Sequence, residues 1–446
     1  MLHNEDEQKS EDEQKSEDER KKQTVGVVEA DEAKARRRDF TLMAVLGVAH
    51  GLSHFFHLVI PPLFPWIMPE FGTSFAQMGS VMTLFFITSS LGQAASGVLV
   101  DRFGARVCLY AGVGLLTAAG FLFSLAPGWL WFYPAAAMAG LGNSVFHPAD
   151  YSIMNRAIKR ERLPKAFSVH SVVGNIGWAA APVLMAGIAS ATGSWRAAAA
   201  TAGVLAALVL ALLVFHHELL AHASAVKPAA QKAVGPKSEE AEQEKGGGFA
   251  FLAVAAVWLC FFFFFFNSFA FGTLQNFAPS IFRAVYGLSL EVSTASLTAY
   301  IVGSTIGILL GASVAERFQK SDRVIACSMT MSAVMALLLA STALGPVSVL
   351  PLMALMGLGV GISTPSRDLL IGGTCRSFLG TNSFGRVYGF TYCGMDVGQT
   401  LAPLVAGPLL DAGHYSLALV LAAALQVCAV GTALGVGRSR RGAAQA

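Results

Sequence analysis

Twelve long apolar runs, separated by short polar stretches, dominate this 446-residue chain. They lie near 40–62, 75–100, 106–126, 129–154, 165–190, 195–215, 249–273, 292–315, 324–344, 347–372, 384–409 and 413–436. Each has the roughly 20 residues a helix needs to cross the hydrocarbon core of a bilayer. Backbone amides have no water partner there, so such a run closes its hydrogen bonds on itself as a helix. The expected fold is an all-α membrane protein with twelve transmembrane helices. Composition agrees, since 54% of residues are hydrophobic and only 13% charged, about half the charged share of a soluble domain. A net charge of +3 offers no argument for a nucleic-acid partner. The first run lies behind a polar tail and lacks a small-residue cleavage site, so it reads as a span and not as a signal peptide.

Basic residues occupy alternate loops. Arg36–Arg38 precede the first run, Arg102 and Arg106 follow the second, and Arg156, Lys159, Arg160, Arg162 and Lys165 follow the fourth. Lys227, Lys232, Lys237 and Lys245 follow the sixth, Arg317, Lys320 and Arg323 the eighth, and Arg438, Arg440 and Arg441 the last. Only Arg196 and Arg283 stand on the opposite side. By the positive-inside rule both termini are expected in the cytoplasm, with the chain in a bacterial inner membrane. The six cysteines all lie in or at the ends of apolar runs, without metal-ligand spacing. No disulfide, metal or cofactor is expected.

Residues 1–39 hold 13 of the 28 acidic and 9 of the 31 basic side chains, including a tandem EDEQKS repeat. This segment reads as a disordered cytoplasmic tail. Residues 217–248 form a polar linker between an N-terminal six-helix bundle, 40–216, and a C-terminal one, 249–436, followed by a short tail, 437–446. The bundles repeat one another. Gly140-Leu141-Gly142 with Pro148 matches Gly357-Leu358-Gly359 with Pro365, 217 residues on, and the same offset takes Pro62 to Pro279 and His50 to Asn267. At offset 215 Asp101-Arg102-Phe103 meets Glu316-Arg317-Phe318, and at 221 Gly177 and Ala181-Pro182 meet Gly398 and Ala402-Pro403. Parallel six-helix repeats are an architecture of secondary transporters, with the substrate site between the halves near the midplane.

The stretch Gly97-Val98-Leu99-Val100-Asp101-Arg102-Phe103-Gly104-Ala105-Arg106 resembles the loop 2–3 signature of the major facilitator superfamily, with Ala105 in place of an Arg. PPLFP at 61–65 and GLGNSVFHPADYSIMN at 140–155 are similar to its fosmidomycin-resistance-like branch. The resemblance covers about 40–436 and implies the major facilitator fold: two pseudo-symmetric six-helix bundles working by alternating access. It further implies that Asp101, Arg102 and Arg106, with Glu316 and Arg317 as the weaker copy, help latch the halves on the cytoplasmic side. Gly174-x-x-Gly177-x-x-x-Ala181-Pro182 is similar to an element of proton-linked exporters, with Ala181 where Gly is usual. The helix 4 Arg common in exporters is absent, so any proton coupling must use other residues.

Ionisable groups inside a membrane need a partner or a water-filled cavity. His50, His54 and His57 fall within about 60° of one another on the first helix and are expected to face the translocation path or to be hydrogen-bonded for packing. Asp396 lies ~18 Å into helix 11, beside Gln399 on its face. It is a candidate for proton coupling or substrate contact, or else a structural acid. Its repeat mate Asn175, Gln399, and Asn267, the mate of His50 and a cavity candidate, are further candidates for proton coupling or substrate contact. His147, Asp150, Arg367 and Asp368 flank Pro148 and Pro365, near the expected cytoplasmic mouth, and read as a gate or latch. Pro148, Pro182, Pro365 and Pro403 are candidate sites of kinking or close packing. His170 reads as interfacial.

No nucleotide-binding or hydrolase motif is present, so enzyme chemistry is not supported. The leading expectation is a secondary antiporter, the proton-coupled efflux of a small organic compound or drug. Its partners are a small-molecule substrate, protons and the lipid bilayer, and it is expected to be monomeric. Proton-coupled uptake of an organic acid is the alternative, with a non-transporting membrane sensor or scaffold as the alternative of another class.

Overall fold

The computed structural model describes residues 32–159, 161–225, 250–318, 320–378 and 384–443. Helix is the only extended regular structure among them, with no strand. The first helix, α1, runs Glu32–Phe56. After it come α2 (Phe75–Phe103), α3 (Ala105–Ser124), α4 (Phe132–Asn143 continued by Phe146–Ala157), α5 (Leu163–Thr192) and α6 (Trp195–Phe215). The second half holds α7 (Ala255–Tyr286), α8 (Leu290–Arg317), α9 (Ser321–Ser341), α10 (Val349–Phe378), α11 (Phe384–Asp411) and α12 (Tyr415–Ala443). Nine are long and apolar enough to span a bilayer, ten when Glu32–Phe56 is joined to the short helix within Pro61–Phe71 across a 43° bend. The broken α4 and the more polar α11 complete twelve passes.

Local chemistry sets the element ends. Ser74 caps α2 by accepting from the Gln77 amide while the Gln77 side chain accepts from the Ser74 amide, a reciprocal pair that marks a helix start. Gly104 alone turns α2 into α3, at φ +86°, a conformation that side chains resist. Pro61 and Pro62 have no N–H to donate to His57 and Leu58, and α1 breaks there. Pro148 likewise deprives Ser144, and α4 breaks at Ser144–Val145. That break is held against α2, where Asn143 donates to Ser89 Oγ and the Ser144 and Ser96 hydroxyls meet at 3.5 Å. Pro182, Pro365 and Pro403 lie within continuous helices.

Within each half the helices pack through small residues. Gly303, Gly307 and Gly311 of α8 press on the α10 backbone so closely that a methyl at any of them would overlap it. The halves meet along two seams, α2 against α11 and α5 against α8. The six-helix repeat exchanges these seams, as a pseudo-two-fold relation requires.

Both tails are shorter than expected. Residues 32–39 are helical and belong to α1. Glu32 pairs with Lys159 and Arg162, and Asp39 accepts from Arg162 Nη2 at 2.6 Å and Nε at 3.1 Å. Four charged groups thus pin α1 to the α4–α5 turn. Residues 217–225, placed in the linker, form a helix, and α12 continues through 437–443 with Arg441 on Asp322 at 2.8 Å. The EDEQKS repeat and most of the linker lie outside the described residues.

Candidate functional site

The basic end of the molecule carries Arg102, Arg162, Arg317 and Arg441; the far end carries the α1–α2 and α11–α12 turns. At the far end the seams are closed. The Asp411 carboxylate accepts from the amides of Phe75 at 2.7 Å and Ala76 at 2.9 Å, capping α2 from the other half. Thr83 donates to the Thr400 carbonyl, Thr298 to that of Ala179, and the Phe64 and Phe75 rings pack on Phe277.

Halfway along, two repeat-related pairs of side chains meet across the seams. Asn175 on α5 donates to the Thr305 hydroxyl on α8 at 3.1 Å. At the other seam Ser90 on α2 lies near the Asp396 carboxylate on α11. Offsets of 215 and 221 residues relate Ser90 to Thr305 and Asn175 to Asp396, so the two pairs occupy equivalent positions, one of neutral groups and one with a carboxylate. Nearer the basic end stand the charged groups expected to form the latch. Asp101, Arg102, Glu316 and Arg317 are exposed there, Arg106 is half-buried, and none is in an ion pair among these residues. The latch expected from sequence is therefore not engaged in this conformation.

The histidine stripe is joined by more groups than sequence placed beside it. His147 and Asp150, expected with Arg367 at the mouth, follow directly on the α4 break and close on His50 and His54. His50, Asp150 and His170 are 1%, 0% and 3% exposed. The His50 and His170 rings stack at 3.6 Å, His54 lies 4.4 Å and His147 5.0 Å from His50. Asp150 Oδ2 is 2.9 Å from His170 Nε2 and 3.7 Å from His50 Nδ1. His170, read as interfacial, is at the centre. Trp178 stacks on His54 at 4.2 Å and reaches Phe271 of the other half, and His57 packs edge-on to Phe85 and Phe86. Gly174 gives the rings their space, since a Cβ there would come within 2.9 Å of both His50 and His54.

The second half is differently furnished. Gln399 donates to Gln275 at 3.3 Å, beside the buried Asn276. Asn267 is half-buried on α7. Arg367 pairs with Asp368 at 2.9 Å and lies over Phe264, whose ring also meets Tyr392. Gln275, Asn276 and Ser90 had no sequence signal: uncharged polar residues in apolar runs are common, and only the fold aligns them.

The family model described as Major Facilitator Superfamily matches residues 46–381. Among curated proteins, the uncharacterized MFS-type transporter YfnC of Bacillus subtilis is 30% identical over 321 residues, covering 72% of this chain and 75% of that one. The fosmidomycin resistance protein of Escherichia coli is 31% identical over 190 residues, 42% of this chain and 46% of that protein. Among solved structures, a bacterial homolog of the human lysosomal transporter Spinster, in an inward-facing and occupied conformation, superposes with a TM-score of 0.69 at 15% identity. That match covers 89% of this chain and 96% of that one. A nucleoside transporter, NupG, matches with a TM-score of 0.67 at 12% identity over 89% and 99% of the two chains. The structural matches are likenesses of fold.

Proposed function

This chain belongs to the Major Facilitator Superfamily, and from that premise we propose that it exports a small organic compound across a bacterial inner membrane in exchange for protons. The basic end then faces the cytoplasm, with both termini inside, and the conformation seen is the inward-open one. The observation that carries the coupling is the placement of Asp396 near Ser90 across the α2–α11 seam. Asp396 is a carboxylate at mid-depth on a seam that must part when the halves rock. With the path open to the outside, protonation lets the carboxyl return to the closed seam without carrying a bare charge through the protein, and loss of the proton to the inside readies it for substrate. A proton taken from outside and released inside is thereby tied to one cycle of the seam.

The far-end contacts of Asp411 and Thr83 open in the opposite state, while Asp101, Arg102 and Arg106 come to face Glu316 and Arg317. Oppositely charged groups then lie on each side of the closing mouth. Asn175, Asn267 and Gln399 supply uncharged hydrogen-bonding groups along the path. The E. coli fosmidomycin resistance relative supports the outward direction.

The test is intracellular accumulation of a mixed panel, including fosmidomycin, other drugs and organic acids, in cells with few efflux pumps. Cells making this protein are expected to retain less of at least one compound, and Asp396→Asn at equal membrane abundance is expected to abolish the difference. A compound enriched by the parent protein would replace export by uptake. Full activity in Asp396→Asn would remove the carboxylate from the mechanism.

A further inference from the structure

The group of imidazoles around Asp150 poses a physical question that transport of an organic compound does not answer. The Nδ1 atoms of His50, His54, His57 and His147 and the Oδ1 atom of Asp150 are all buried without a hydrogen-bond partner. A buried polar atom left unpaired costs about 1–3 kcal/mol, so side chains that served packing alone would have found partners. A proton relay would need consecutive hydrogen bonds. Only His170 to Asp150, at 2.9 Å, is one, and His50 Nδ1 at 3.7 Å from the same carboxylate is out of reach. Asp150 meets no Lys or Arg among the described residues, so its charge is met by imidazole alone.

The geometry points to a binding site for a divalent transition-metal ion of the Zn2+ class, held by His50, Asp150 and His170. The donor atoms of these three lie within 4.8 Å of one another, and so do those of a second triad, His50, His54 and His147. Around an ion at about 2.0–2.1 Å they would draw in to roughly 3.3 Å, a movement on the scale of ring rotation. The two triads share His50 and differ in burial: the first is wholly buried, while His54 and His147 are half-buried. They form a graded route inward from the half-exposed pair, beside which Tyr151 is exposed. Imidazole nitrogen with one carboxylate oxygen suits Zn2+, Co2+ or Ni2+, and disfavours Mg2+ and Ca2+, which prefer oxygen ligands. Three helices contribute, at positions 50, 54, 147, 150 and 170, which is why no ligand spacing is visible along the chain. The inference stands apart from the direction and coupling proposed above, which rest on the other seam.

The test uses tag-free, full-length protein in detergent, stripped with a chelator and titrated with Co2+ and then Zn2+. Expected are one equivalent of Co2+ with the visible absorption of a nitrogen-rich site, displacement by Zn2+, and no displacement by Mg2+. Asp150→Asn and His170→Gln should each weaken binding by at least about tenfold. Should either fail to fold, His147→Gln, on the rim, is expected to weaken binding by a smaller factor in well-folded protein. A control replacing His216, His217 and His222 by Gln should bind as the parent does. No saturable Co2+ binding in the parent, unchanged affinity in the cluster variants, or loss of binding in the His216/His217/His222 control would each overturn the assignment.

Discussion

The two halves share one backbone plan and hold opposite chemistry at matching positions. Along the 217-residue offset His50 corresponds to Asn267, His54 to Phe271, His147 to Thr364 and Asp150 to Arg367; at 221, His170 corresponds to Thr391. A carboxylate ringed by imidazoles in one half is thus a guanidinium over a phenyl ring in the other. The backbones differ in the same places. α1 and α4 break before their prolines, whereas α7 and α10 run on through Pro279 and Pro365. Duplication supplied the scaffold, and the breaks belong to the half that gathers the imidazoles. Asymmetry of site and asymmetry of helix go together.

The largest effect that would sharpen this contrast is at the basic end. Asp39 is 1% exposed and takes two hydrogen bonds from Arg162, itself 23% exposed. Arg162→Ala leaves the buried Asp39 carboxylate with only Arg38, at 3.4 Å, and breaking a buried pair typically costs about 3–5 kcal/mol. Thermal unfolding in detergent should show a clear drop in midpoint. An unchanged midpoint would mean that the first-half pin does not hold α1.

A second test turns on glycines. Gly177 and its mate Gly398 both face backbone of a neighbouring helix, on Gly51 and Phe265, so both halves need them for packing. Gly174 differs: its mate is Met395, and what it faces is the pair of rings of His50 and His54. Gly174→Ala is therefore expected to displace the imidazoles and destabilise by about 1–3 kcal/mol, as overpacking does. Gly187→Ala, on the same helix with open space around it, should be close to neutral. Equal behaviour of the two variants would show that the rings can move aside freely.

How far the chain could be read in advance follows the same division. Spans, repeat and family motifs were legible because they are local: each is a run, an offset or a contiguous signature. So was the use of Gly303, Gly307 and Gly311 for close packing, where four-residue spacing suffices. The start of α1 at Glu32 was not, because polarity hid a helix that is held by Lys159 and Arg162, more than a hundred residues away. The Asp396–Ser90 pair was half legible. Asp396 stood out as a charge in an apolar run, whereas Ser90 did not. The imidazole group was least legible as a group. His50, His54 and His57 showed as a stripe, but depth counted along α4 grouped His147 and Asp150 with Arg367 and not with the stripe, and His170 had nothing nearby to mark it.

Pro148→Ala tests whether the break makes the site. With an N–H restored at 148, Ser144 regains its partner and the two segments of α4 can join as α10 does across Pro365. His147 and Asp150 would then turn away from His50. Co2+ affinity is expected to fall roughly tenfold, about 1.4 kcal/mol, while Pro365→Ala leaves it unchanged. Equal losses from both would detach the metal site from the break.

The smallest effect is expected at the second half's own pin. Arg441 meets Asp322 at 2.8 Å, joining α12 to α9 at the same end where Arg162 secures α1. The acids are alike in burial, but Arg441 is 54% exposed against 23% for Arg162. Water therefore screens the Arg441 pair and can solvate the partner it leaves. An exposed pair is worth about 0–1 kcal/mol, so Arg441→Ala should shift the unfolding midpoint by a small fraction of the Arg162→Ala shift, and in the same direction. A shift as large as that of Arg162→Ala would show that Asp322 is as dependent on its arginine as Asp39. The halves would then be symmetric in how they are fastened, and their asymmetry would be confined to the imidazole site and the helix breaks beside it.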